Sequence, residues 1–358
     1  AQCIYAPYLS LYGEIMELRK IQKTGGNTYI VSLPAKWVRE QGLQKNTPVG
    51  VIPRADGTLL ITTKPEGKVA TARKEFKVDD NVDENLLFRS LIAAYIVGFS
   101  EVKVYSERGL NSRIRRVVRE FSSMVIGQEV TDEDPISITV KDLLDPLEMP
   151  FEKSIERMHI IVKSMIDDAE LYLSVGDEAT LEDIVARDNY VDRLNWLISR
   201  QSVMALKDPT FVEKMGVSSV TAVIYSFVGK HIERVGDHAV RIAKNLAKVR
   251  HRVNNRVSKE IKEALHSAER LFDGAIESLI KGDMSLANEV IESVGETHRR
   301  CEELIHALQG GNAEDLLYIG NISDSIRRIG DYSADICESV LNLLVSEAVT
   351  CSLSGEDD

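Results

Sequence analysis

The sequence is poor in several elements that would mark it as one kind of protein. Its four cysteines, Cys3, Cys301, Cys337 and Cys351, form no CxxC pair. This excludes a zinc ribbon, a CxxC redox centre and a disulfide-stapled scaffold, and reduced thiols in a cytoplasmic protein are expected. No Gly-rich phosphate loop, GxSxG elbow or HExxH helix occurs, so enzyme readings do poorly and a non-enzyme is expected. The longest apolar run, Ser90 to Phe99, is about half of the roughly 20 residues that span a bilayer, and Arg89 precedes it. No membrane insertion is expected. Residues 1–15 lack the basic start, apolar centre and cleavage site of a signal peptide. They read as an extension, with Met16 as an alternative start.

What the sequence does have is enough apolar residues, 44% of 358, to bury a sizeable core over two or three domains. The net charge of −12 is unevenly spread. Between Glu17 and Glu75, 11 Lys or Arg stand against 5 Asp or Glu, which is +6 and leaves −18 for the rest. A basic head sits on an acidic body.

In the head, "NTYIVSLP" and "TPVGVIPRADGTLLITT" alternate as strands do, the second pair turning at Ala55-Asp56-Gly57. Between them "PAKWVREQGL" has Pro34 for a first helical turn and Gly42 for a stop. The expected order is strand, strand, short helix, strand, strand over residues 16–66. So small a unit buries too little by itself and calls for a partner. The basic opening, the Gly-Asn turn, "SLPAKW" and the following "GL" resemble the AbrB/SpoVT family of swapped-hairpin DNA-binding domains. The resemblance implies a homodimer of interleaved hairpins with DNA on its basic face. Arg19, Lys20, Lys23, Asn27, Lys36 and Arg39 are the expected DNA contacts, phosphate neutralisation making binding salt-dependent. Trp37 is expected to anchor packing.

Residues 67–150 read as a small α+β linker domain: a helix in "NVDENLLFRSLIAAYIVGF", a strand in "SEVKVYS", a helix in "LNSRIRRVVREFSSMV" and a strand in "PISITVKDLL". Arg113, Arg115, Arg116 and Arg119 crowd one helix, either as an anion-binding patch or as a solvated face.

From residue 151 the pattern is helical and repeats itself. "MIDDAELYLSVGD" matches "LFDGAIESLIKGD" at Asp167/Asp273, Ala169/Ala275, Leu173/Leu279, Gly176/Gly282 and Asp177/Asp283. Each unit is helix, Gly-Asp turn, helix, longer loop, helix, with core stripes such as Ile155, Met158, Val162, Met165 and Ala169. Two tandem three-helix bundles follow, residues 151–250 and 251–348, ahead of a tail at 349–358. The expected protein is therefore multidomain: a small β-rich swapped-hairpin head, an α+β middle segment and an all-α body.

The third helices carry "HIERVGDHAVRIAKN" and "SIRRIGDYSADICES". Gly236 and Gly330 lie inside them, where glycine costs about 1 kcal/mol relative to alanine, so close helix packing is expected. Glu233 and Asp237 are one turn apart on one face, as are Asp188 and Asp192 on the preceding helix. If the two helices are antiparallel neighbours, four carboxylates converge. Two outcomes are open: Arg187, Arg193, Arg234 or Arg241 neutralise them, or they hold a divalent or ferric ion.

These motifs, with the repeat, resemble the PhoU family of phosphate-uptake regulators, whose E(D)xxxD signature lies on the inner helices of two three-helix bundles. An AbrB-like head on such a body looks like archaeal members. The resemblance implies a metal site at Asp188, Asp192, Glu233 and Asp237, with iron, zinc, magnesium and manganese not distinguished. Asp331 and Asp335 form a secondary candidate. In the second repeat Arg327 replaces Glu233, and "SVGETHRRC" offers Glu296 in place of the paired aspartates. Arg327 is expected to bridge Asp331 and fill the cation's place. The implied function is regulation of phosphate transport and homeostasis by a transcriptional regulator, with a phosphate ABC transporter subunit or a signalling protein as partner. The alternatives are an adaptor whose head serves only dimerisation, metal storage, and a hydrolase built around His231 and His238.

Overall fold

The computed structural model describes residues 17–53, 57–63, 72–308 and 312–347. The expected extension at 1–15, the start at Met16, the turn residues Ala55 and Asp56 and the tail at 349–358 lie outside them. The chain divides into two compact units, Ala1–Lys68 and Val69–Asp358.

In the first unit, β1 (Gln22–Thr24) and β2 (Thr28–Ile30) form an antiparallel hairpin. Gly25 turns it at φ 60°, a region that favours glycine. α1 (Ala35–Glu40) follows Pro34, and Gly42 at φ 63° ends it. β3 (Gly50–Pro53) pairs antiparallel with β4 (Leu59–Thr62). The expected element order is present. Among the described residues of this unit no side chain is buried, and Leu18 and Ile21 are 88% and 73% exposed. Trp37 is half-buried and has no closed core to anchor in a single chain.

The second unit opens with a four-stranded sheet. β5 (Arg73–Lys77), α2 (Glu84–Ile96), β6 (Glu101–Tyr105), α3 (Ser112–Met124), β7 (Gln128–Glu133) and β8 (Ser137–Asp142) follow in sequence. The strand order is β5-β6-β8-β7, with β5 parallel to β6 and the other pairs antiparallel. Asp83 and Asn111 cap the two helices by accepting from backbone N–H groups. Val102, Val104, Ile138 and Val140 alternate inward against Leu91, Tyr95, Ile114, Val118 and Phe121. The expected elements are all there; β5 and β7 are additions. Both are charged edge strands, "RKEFK" and "QEVTDE", which carry little apolar alternation. The arginine-rich face of α3 resolves into ion pairs: Arg113 and Arg116 with Glu84, Arg115 and Arg119 with Glu133.

The body consists of α4 (Phe151–Val175), α5 (Glu178–Lys207), α6 (Pro209–Met215), α7 (Ser219–Val249), α8 (Asn255–Lys281), α9 (Met284–Ala307) and α10 (Ala313–Glu347). α4 and α8 each end on a left-handed glycine, Gly176 and Gly282, and Asp177 and Asp283 cap the helices that follow. The Gly-Asp repeat is thus a helix stop joined to a helix start. α6 fills the longer loop of the first repeat.

The two bundles are fused. One apolar core runs from Phe151 to Val340. α7 and α10 lie antiparallel, with His231 Nδ1 3.5 Å from Asp335 Oδ2 and Asn321 donating to Asn245 Oδ1 at 3.3 Å. α4 meets α8 through His159 and Lys163, which reach Asp273 at 2.7 Å each.

The sheet domain is locked onto α5. Arg200 is 1% exposed; its guanidinium pairs with Asp142 at 2.5 Å, donates to the carbonyls of Tyr95 and Phe99, and lies 4.7 Å from the Tyr95 ring centroid. Gln201 donates to the carbonyls of Pro146 and Met149, and Lys207 to that of Val97. The middle segment expected as a linker domain packs as part of the body. Among the described residues, no single helix is long and apolar enough to cross a membrane.

Candidate functional site

α5 and α7 run antiparallel at a spacing set by glycines on α7. A Cβ built on Gly236 would lie 3.4 Å from Asp188 Oδ1 and 3.4 Å from Val162 Cγ2. One on Gly229 would lie 3.2 Å from Ile198 Cδ1. The expected close approach at Gly236 is therefore ordinary contact. At Gly330 the neighbours Leu271 and Thr297 are likewise at 3.4 and 3.5 Å. Among the described glycines inside helices, the tightest approach is at Gly274 on α8, where a Cβ would meet Val290 Cγ2 at 2.8 Å.

The predicted acids come together in this seam. Asp188 is half-buried, and its Oδ1 is enclosed without a hydrogen-bond partner. Burial, then the charges of Asp237 and Glu233, pushes its carboxyl up to about 6. Burial, then Asp188, Glu233 and Asp237, pushes Asp192 up to about 7. The charges of Glu233 and Asp237 thus reach both Asp188 and Asp192 across the seam. Glu233 is buried and is bound by Lys230 at 2.6 Å. Three of the four arginines considered as counter-ions have other partners. Arg187 pairs with Asp168 and Asp183, Arg193 lies over the Tyr190 ring, and Arg234 lies over the Tyr332 ring. Among the described residues, Asp188, Asp192 and Asp237 appear in no ion pair.

An enclosed, unpaired carboxylate oxygen within a cluster of acids is a poor match for an apolar setting and a good match for a hard cation. The donor set fits such an ion. Among the described residues, no group of three or more His, Cys, Asp and Glu is arranged as a metal shell.

The second repeat differs from expectation. The spacing that separates Gly176 from Gly282, carried along α5 and α9, puts Val294 at the place of Asp188 and His298 at that of Asp192. His298 Nε2 reaches Asp331 at 2.8 Å, and Arg328 stands 3.7 Å from the same carboxylate. Arg327 faces Asp324 at 3.8 Å and does not bridge Asp331. Glu296 is held by Arg299 and Arg300 on its own helix. His298 from the facing helix, together with Arg328, takes the partner role expected of Arg327, which turns to Asp324 instead. A cavity of about 360 Å³ beside it is lined by residues including His298, Cys301, Ser323 and Arg327. Asp335, the other secondary candidate, faces His231.

On the head, Arg19, Lys20, Lys23, Asn27, Lys36 and Arg39 are all exposed. Arg19 is paired with Glu17, and Lys23 Nζ lies 6.0 Å from the Tyr29 ring centroid. Asn27 sits in the turn of the first hairpin.

Residues 155–246 and 261–340 match the PhoU domain model, and residues 22–69 match the bacterial antitoxin model "Antidote-toxin recognition MazE". A phosphate-specific transport system accessory protein PhoU homolog from Clostridium acetobutylicum is 22% identical over 214 residues, covering 56% of this chain and 96% of that protein. A homolog 1 from Thermotoga maritima is 23% identical over 199 residues, covering 53% and 84%. Among solved structures, PhoU from Pseudomonas aeruginosa aligns with 20% identity and a TM-score of 0.49, over 57% of this chain and 98% of that one.

Proposed function

The chain belongs to the PhoU family and carries a swapped-hairpin head, and from that premise we propose that it is a DNA-binding regulator of phosphate transport whose helical body responds to a cation. The observation that carries this reading is the union of two parts. One is a basic head in which no described side chain is buried in a single copy. The other is a body whose seam holds Asp188, Asp192 and Asp237, which form no direct ion pair among the described residues, with Lys230 and Lys244 as the nearby positive charges. Pairing with a second copy would cover Leu18, Ile21, Tyr29, Val51 and Leu59 and leave Arg19, Lys20, Lys23, Asn27, Lys36 and Arg39 to meet DNA.

In the body, Asp188, Asp192, Glu233 and Asp237 would hold the ion. Bound there, it would neutralise their mutual repulsion and tie α5 to α7. The same α5 carries Arg200, Gln201 and Lys207 into the sheet domain, so a change in the seam has a rigid element through which to act. The relatives' printed names supply the process, phosphate-specific transport.

The test is binding of the purified chain to DNA upstream of its own gene and of neighbouring phosphate-transport genes, by fluorescence anisotropy across a salt series, beside Arg19→Ala/Lys20→Ala/Lys23→Ala. Specific binding that weakens steeply with salt and is lost in the variant is expected. The exposed apolar set on the head favours a second reading, in which pairing is its whole role and the protein is an adaptor docking on the transporter. Binding that is non-specific, or untouched by the variant, would select that reading.

A further inference from the structure

The row of oxygens in the α5–α7 seam extends past the acids. Asn195, about one turn beyond Asp192, is 4% exposed, and its Oδ1 is buried with no hydrogen-bond partner. An unpaired buried polar atom of this kind is destabilising. A Cβ on Gly229 would lie 3.6 Å from that oxygen, just as one on Gly236 would lie 3.4 Å from Asp188 Oδ1, which is also buried and unpaired. Two glycines two turns apart on α7 therefore face two unpaired oxygens two turns apart on α5. Asp192 and Glu233 lie between these levels.

Resting on the cation reading of the seam, we propose that Asn195 is a further ligand, contributing a neutral amide oxygen at the Asp192–Glu233 end of the row. Hard cations such as Mg²⁺, Mn²⁺ and Ca²⁺ accept carboxylate and amide oxygens together. An amide adds an oxygen donor without adding negative charge to the cluster of carboxylates. The oxygen faces the bare side of Gly229, and no donor pairs with it.

The chain contains its own comparison. At the spacing that relates α5 to α9, Asp188, Asp192 and Asn195 correspond to Val294, His298 and Cys301. The place of Gly229 is taken by Ser323, whose hydroxyl donates to the Cys301 carbonyl at 3.1 Å. The second bundle has lost all three oxygens of this row together. A purely structural asparagine has no reason to go with the acids; a ligand of the same ion does.

The proposal is tested with the full chain and Mn²⁺ as the probe, free Mn²⁺ being read by its electron paramagnetic resonance signal at pH 8. Asn195→Leu, similar in size and without the oxygen, should bind Mn²⁺ at least about tenfold more weakly. Its melting temperature without metal should be unchanged or higher. Asn195→Asp should bind several-fold more tightly. Equal Mn²⁺ affinity in wild type and Asn195→Leu would overturn the ligand role while leaving the carboxylate site intact. Absence of Mn²⁺ binding by the wild type would overturn the cation reading itself. Should Asn195→Leu fail to fold, Asn195→Asp decides alone, an unchanged affinity refuting the proposal.

Discussion

Replacing Arg200 by methionine tests how the sheet domain is held to the body. The guanidinium is 1% exposed, pairs with Asp142 at 2.5 Å and donates to the carbonyls of Tyr95 and Phe99. Removing one partner of a buried pair costs about 3–5 kcal/mol, because the other charge stays buried without compensation. At roughly 2–4 °C per kcal/mol for a unit of this size, the melting temperature should fall by about 6–20 °C. Asp142 supplies an internal check. Burial already raises its carboxyl above the usual range, with Arg200 holding it down, so in Arg200→Met it rises further. Protonation then relieves the cost, and the destabilisation should be smaller at pH 5 than at pH 8. The double variant Arg200→Met/Asp142→Leu should recover most of the loss at pH 8. Calorimetry on the four proteins at both pH values measures this cycle. A single variant within about 0.5 kcal/mol of wild type, or a double variant no better than the single, would refute the joint as described.

Asp188 and Asp192 set a stability trend with pH. Their folded carboxyls stand at about 6 and about 7, against an ordinary value near 3.9, so the folded state binds more protons in between. Without metal, their contribution to stability is most favourable below about pH 4 and declines as pH rises to about 7. The three-unit rise of Asp192 sets a ceiling near 4 kcal/mol, and partial exposure reduces the expected effect to about 1–2 kcal/mol. Asp192→Asn should therefore raise the melting temperature at pH 8 and not at pH 4; no difference between the two would contradict the crowded seam. Gly274→Ala should cost about 1–2 kcal/mol despite alanine's helix preference, because its Cβ would meet Val290 Cγ2 at 2.8 Å, and Val290→Ala should relieve it. Chemical denaturation of the two variants and the pair measures this, and a stabilised single variant would show that the helices move apart freely. Cys301 and Cys337 are buried, with thiols pushed up to about 11. Alkylation followed by peptide mass mapping should find both protected at pH 8 until the chain unfolds; rapid native labelling would show that the second bundle opens.

The parts of this fold that were legible were those in which one residue type has one structural use. The Gly-Asp pairs at Gly176 and Gly282 read as a helix stop and start because left-handed glycine and an aspartate cap admit few other uses. The acids at Asp188, Asp192, Glu233 and Asp237 were legible through helical periodicity, which put each pair on one face. Contacts across helices were less so. That His298 rather than Arg327 meets Asp331 depends on which of two hydrogen-bond donors projects inward, and both satisfy the same sequence pattern. The edge strands β5 and β7 escaped because charged edges suppress apolar alternation. Asn195 carries no charge and belongs to no motif. Only its burial, and the bare glycine opposite, single it out.

The most direct test of the whole account is whether the state of the seam sets the DNA affinity of the head. The measurement is DNA binding by the full chain at fixed salt, with Mn²⁺ and after chelation, for wild type and Asp188→Asn/Asp192→Asn. The account expects wild-type affinity to differ several-fold between the two conditions and the variant to show one affinity in both, with DNA reciprocally shifting Mn²⁺ affinity. Identical wild-type isotherms with and without the ion would contradict it.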